Sequence, residues 1–174
     1  VGGATGVKRV FAALTFTLAA MLAQPALAGD PAANEALARA YFEALFVKDD
    51  AAAAKAMTGG AFAEQWKDGV PAGLKAMRAA FPDLKPRIDA VVAGPASVAV
   101  FSTWEATHTG APFLGLEARG TKVRFQSVDA FDIADGKLAR FWDVSNLVPV
   151  FNALGALRLP PGVTLPERPS AAAR

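Results

Sequence analysis

Residues 121–146, TKVRFQSVDAFDIADGKLARFWDVSN, restrict the possible folds of this chain more than any other stretch, because they read as two strands joined by a tight turn. Val123, Phe125, Ser127, Asp129, Phe131 and Ile133 share one parity, while Lys122, Arg124, Gln126 and Asp132 share the other. Such alternation marks a strand with one face against a core. Asp129 falls on the apolar parity, where a carboxylate is costly unless it is paired or used. Asp135-Gly136 tolerates the positive φ angles of a primed hairpin turn. A two-residue loop there pairs Ile133 with Leu138, Asp129 with Trp142, Ser127 with Val144 and Phe125 with Asn146. A four-residue loop keeps these pairs, and a three-residue loop turns the second strand over. The two-residue register predicts a small polar site, Asp129 with an indole and an amide, inside an apolar face.

The ends of the chain read differently. Lys8-Arg9, the apolar run from Val10 to Leu22 and Ala26-Leu27-Ala28 have the order of a secretory signal peptide over residues 1–28. The apolar run is shorter than the ~20 residues that span a bilayer, so no stable membrane anchor is expected after leader removal. A periplasmic or secreted protein follows. Lys8 and Arg9 supply the excess of 18 basic over 16 acidic residues, and without them the charge balances. No basic patch then points to nucleic acid. There is no cysteine and only one histidine, so a disulfide framework or thiolate metal site is excluded and no metal or cofactor is expected. Residues 158–174, with four prolines and a late alanine run, read as a disordered tail.

Between these ends, 29–157 reads as one domain. Asp30-Pro31 opens a first helix as N-cap and first helical residue, with Leu37, Tyr41 and Leu45 on its apolar stripe. Asp49-Asp50 ends it and caps a second helix, Ala51 to Met57. Phe62 to Trp66 is a helical turn, and Val70 to Phe81 a third helix that buries Leu74, Met77 and Phe81 before Pro82 stops it. From Arg87 the period becomes two: Ile88 to Ala93, then Ser97 to Thr109. Val148 to Leu157 reads as a closing short helix. Helices followed by antiparallel strands predict an α+β domain, helices packed on one face of a curved sheet.

Phe81-Pro82-Asp83-Leu84, Trp104-Glu105-Ala106-Thr107-His108-Thr109-Gly110, Phe113-Leu114-Gly115, Asp129-Ala130-Phe131-Asp132-Ile133, Asp135-Gly136-Lys137-Leu138, Phe141-Trp142-Asp143 and Phe151-Asn152-Ala153-Leu154-Gly155 occur in an order that resembles the SnoaL-like polyketide cyclases. The resemblance covers roughly Asp30 to Gly155. It implies a cone-shaped α+β barrel of the nuclear transport factor 2-like type, a homodimer, and an apolar pocket between helices and sheet. It also implies that Asp129 matches the family's acid/base. Asn146 departs from the pattern, because the family often has an aspartate there.

Asp129 is the candidate catalytic residue: burial raises a carboxyl's pKa towards neutrality, where it can take a proton beside a carbonyl and return it to an alkoxide. His108 is a candidate second acid/base or a rim residue. Trp104, Trp142, Asn146, Phe125 and Tyr41 are candidate walls or polar contacts for a small apolar molecule; the alternative is ordinary core for Trp104, Trp142 and Tyr41, and backbone pairing near the strand end for Asn146. No nucleophile elbow or phosphate loop is present. The expected function is cofactor-free cyclisation or isomerisation of a hydrophobic carbonyl compound by an exported protein. The alternatives are a non-catalytic carrier of a lipophilic ligand and a dimerisation scaffold.

Overall fold

The computed structural model describes residues 29–158 and 160–163; the expected leader at 1–28, and the expected tail apart from Arg158 and residues 160–163, lie outside them. Asp30 caps α1 (Pro31–Phe42), its carboxylate accepting from Ala32 N–H at 2.9 Å. The helix then widens into a π-helical turn, Glu43–Val47, closed by Lys48 N–H donating to the Glu43 carbonyl at 2.9 Å. Asp50 caps α2 (Ala51–Ala56) through Ala53 N–H at 2.8 Å. Next come α3 (Gly60–Asp68), longer than the expected helical turn, and α4 (Val70–Ala80).

Four strands follow: β1 (Lys85–Ala93), β2 (Ser97–His108), β3 (Thr121–Ala134) and β4 (Lys137–Ser145), then α5 (Val148–Ala153). They form one antiparallel sheet in the order β1-β2-β3-β4. The sheet is open, with β1 and β4 as edges, and the helices lie on one face of it. The α+β architecture expected from the sequence is the one observed.

Helices and sheet meet in an aromatic layer. Phe131, fully buried, has Phe141, Tyr41 and Phe62 at ring-centre distances of 5.3, 5.6 and 5.7 Å. Trp66 meets Tyr41 edge-on at 6.3 Å.

The β3–β4 hairpin departs from the expected register. Asp135 and Gly136 do form the turn, with φ of 52° and 67°, and Ala134 and Ile133 do face Lys137 and Leu138. Beyond them Asp132 faces Arg140, so Ala139 is an extra residue in β4 and the pairing slips by one. The cause lies in spacing. Leu138 and Phe141 are both large and apolar, but they stand three apart, and strict alternation sends them to opposite faces. A bulge lets both point inward. Leu138 is fully buried, and its backbone is held by Met57 and Gly59 at 3.0 and 2.8 Å. Phe141 joins the aromatic layer. Asp129 consequently faces Asp143, and Trp142 faces Ala130.

Candidate functional site

The slipped register builds a cleft of about 340 Å³ between the helices and the sheet. Tyr41, Leu45 and Phe46 contribute from α1 and the π turn, and Val70, Gly73, Leu74 and Met77 from α4. The wider turn brings the successive residues Leu45 and Phe46 both to the cleft. Arg78 ties that turn to α4, donating to the Asp49 carboxylate and, at 2.9 Å, to the Leu45 carbonyl. The sheet side carries Trp104 and Phe125, whose rings stack with planes 3° apart and centres 5.8 Å apart.

Asp129 lies on this sheet wall and is only 9% exposed. Ser127 Oγ donates to its Oδ2 at 3.0 Å. Because the one hydroxyl hydrogen of Ser127 is used there, the 2.9 Å contact between Ser102 and Ser127 must be a donation from Ser102. The Trp104 indole N–H reaches both hydroxyls at 2.9 Å. Asp129 thus ends a buried chain of donors pointing one way. Burial dominates its electrostatics and lifts its pKa to about 6 against the favourable Ser127 bond, and the Asp143 carboxylate adds to the rise. Tyr41 is driven upward too, first by burial; the Trp66 indole opposes this and Asp129 reinforces it. Tyr41 therefore remains a neutral phenol, able to donate.

Asp143 is the site residue the sequence did not reveal. It faces Asp129 across the strands and also lines the cleft, and Ser145 Oγ donates to its Oδ2 at 3.0 Å. Ser127 faces Ser145 in the same register. Two Ser/Asp pairs thus stand side by side on the wall, and among the described residues no Lys, Arg or His lines the cleft. Like charges this close resist simultaneous ionisation. Asp143→Asn is expected to lower the pH at which Asp129 ionises, by less than burial raises it; carboxyl ¹³C titration of Asp129 checks this.

Of the other expected site residues, Tyr41, Trp104 and Phe125 line the cleft, whereas three do not. Trp142 is 45% exposed on the opposite face of the sheet, because the bulge reverses β4 after Ala139. Asn146 is exposed beyond the end of β4, its N–H donating to the Gln126 carbonyl at 2.9 Å, and it too is placed outside by the slip. His108 points to the helix side of the sheet but at the far end of β2. Asp129 faces Val100, eight residues from His108, or about 27 Å along the strand. There His108 is fully buried beside Phe81. Its Nε2 lies 3.0 Å from the Ala111 carbonyl, which can only accept, so Nε2 carries the proton. It anchors the β2–β3 connection and takes no part in the cleft. Among the described residues no group of three or more His, Cys, Asp or Glu is placed to hold a metal.

An α+β fold with a largely apolar cleft between helices and an open antiparallel sheet defines the class of this protein. The family follows from the sequence as well: the chain belongs to the SnoaL-like polyketide cyclases, whose family model matches residues 46–154. Among solved structures it is similar to AclR from Streptomyces galilaeus, described as a candidate hydroxylase (24% identity, 76% of this chain and 91% of that one, TM-score 0.64). It is similar also to TsrD from Streptomyces laurentii (23%, 74% and 98%, 0.59). A third is IdmH, a candidate polyketide cyclase from Streptomyces antibioticus (18%, 70% and 98%, 0.58). At these identities the likeness is one of fold. No curated protein matches the chain.

Proposed function

We propose that the cleft binds a small hydrophobic carbonyl compound and that Asp129 moves a proton on it, making the protein a cofactor-free cyclase or isomerase. The observation that carries this reading is the placement of Asp129: a buried carboxyl with a pKa of about 6 on the wall of a largely apolar cleft. A base is most useful when its pKa lies near the working pH. In the proposed step the Asp129 carboxylate takes a proton from the carbon beside a carbonyl, and the electron pair of that C–H bond forms an enolate. Tyr41, neutral and adjacent, donates a hydrogen bond to the enolate oxygen. In a cyclase the enolate carbon attacks a second carbonyl of the same molecule, and the resulting alkoxide recovers the proton from Asp129. In an isomerase the proton returns to a different carbon. Either cycle leaves the protein unchanged.

The test is mass spectrometry of small molecules retained from a cell-envelope extract by residues 29–174 and by the Asp129→Asn variant. Conversion by the first and retention by the second supports the reading. The same unaltered compound on both makes the protein a carrier, and retention by neither makes it a scaffold. The choice of extract follows from the expected leader: the basic, apolar and Ala-x-Ala segments of residues 1–28 support action outside the cytoplasm.

The open face of the sheet supports a second copy of the chain as partner. Phe101, Val128 and Val144 lie in one cross-strand row, and Val92, Ala99, Ala130 and Trp142 in the next. Val92, Phe101, Trp142 and Val144 are all exposed. Exposed apolar patches of this kind mark association surfaces. Val144→Arg is expected to convert a dimer to a monomer in sedimentation equilibrium while leaving ligand binding intact. A monomeric wild-type protein would refute the arrangement.

A further inference from the structure

The apolar stripe of α4 has a gap. Val70, Leu74 and Met77 all line the cleft, and helical spacing places residue 73 on the same face. That residue is Gly73, which also lines the cleft. Glycine inside a helix is destabilising relative to alanine, so its presence needs a reason. Positive φ is one, as at Gly115, Gly120 and Gly136, but Gly73 has none. Close backbone approach is another. A Cβ at Gly110 would meet the Ala79 carbonyl oxygen, whereas a Cβ at Gly73 would meet nothing within 4 Å. Neither the conformation of α4 nor its packing calls for glycine there. The unfilled space belongs to the cleft.

We infer that Gly73 sets the size of the ligand: the missing side chain makes room between α4 and the Trp104–Phe125 wall for a ketone longer than a single ring. This rests on the ligand-binding reading above. The stacked indole and phenyl rings give the sheet side an apolar wall, against which Phe46 stands perpendicular to the indole at 4.9 Å. An extended ketone can run along this wall with one end towards Asp129 and the other beneath Gly73. A single-ring ketone reaches Asp129 without using that space.

Three neutral ketones of increasing length serve as probes: acetophenone, 2-acetylnaphthalene and 2-acetylanthracene, with affinity read from quenching of tryptophan fluorescence. Gly73→Leu completes the stripe and is expected to weaken 2-acetylanthracene at least about tenfold, while acetophenone changes by less than about twofold. Gly73→Ala, which removes the glycine at little cost in volume, is expected to raise Tm by about 2 °C. A rise in stability with a selective loss of the longest ketone separates this role from damage to the fold. Unchanged binding of all three ketones by Gly73→Leu overturns the inference, as does equal loss of all three. A lower Tm for Gly73→Ala overturns it as well, since the helix would then need the glycine. Wild-type protein that holds none of the ketones removes the ligand-binding reading, and this inference with it. Wild-type binding without size selection in the variants removes this inference alone.

Discussion

Asn in place of Asp129 is expected to eliminate turnover and, at neutral pH, to make the protein more stable. General acid–base catalysis contributes about 10²–10⁴ to a rate, and an amide cannot accept the proton. Exchange of the α-hydrogens of a bound ketone in D₂O should therefore fall by about 10³. Ketone affinity should stay close to wild type, because the apolar walls are untouched. The amide still accepts from Ser127. In the wild-type protein kcat/KM should rise with pH through about 6, the ionisation of the free carboxyl. A variant that retains half the wild-type exchange rate would move the chemistry away from Asp129.

The stability gain follows from the same placement. Burial first, and Asp143 last, raise the Asp129 carboxyl from its ordinary 3.8 to about 6, against the Ser127 bond. Between those values the folded state holds a proton that the unfolded state has released, so stability falls as pH rises. Below about pH 4 the penalty is absent, and above about pH 6 it is complete, on the order of 3 kcal/mol. The Asp129→Asn variant would have no such dependence. Urea titrations at pH 4.5 and 7.5 should show the variant's advantage growing with pH. An advantage that shrank would mean that ionised Asp129 has a stabilising partner.

Most of the architecture could be read from local physics. Asp30 and Asp50 cap helices as their side chains require, Pro82 follows the end of α4, and the strand parity of β3 puts Asp129 inside with Phe125 and Phe131. The site was only half legible, because one inserted residue in β4 decides it. A clue was present: continuous alternation from Leu138 would bury Arg140 and Trp142 and expose Phe141. Arg140 inside an apolar layer is costly, and the bulge removes that conflict. Nothing within the turn itself reports the bulge; the demand comes from residues 57–59 and from Phe62, far away in sequence. The π turn was hidden for a similar reason. Its residues have ordinary helical character, and the wider winding meets the cleft's need for both Leu45 and Phe46. His108 has the inward parity, but parity says nothing of position along a twelve-residue strand.

Phe131→Ala should be the most damaging single substitution in the sheet, lowering unfolding free energy by about 4 kcal/mol. Phe131 is fully buried and lies within 5.7 Å, centre to centre, of three other rings. Removing it deletes the transfer energy of a phenyl group. It also leaves a void that Tyr41, Phe62 and Phe141 cannot close, since each is fixed by a different element. Against a total stability of about 5–15 kcal/mol for a domain, such a loss shifts the urea midpoint strongly with little change in slope. Phe131→Leu should lose much less, because most of the volume is kept. The effect should also reach the chemistry. Phe131 stands two residues from Asp129 on the same face and touches Tyr41, so a void there admits water beside the carboxyl. Hydration favours the anion, and the Asp129 titration should move below 6 in Phe131→Ala but stay near its wild-type position in Phe131→Leu. A loss of less than 1 kcal/mol, or an unmoved titration in Phe131→Ala, would show that the aromatic layer neither carries the fold nor keeps Asp129 dry.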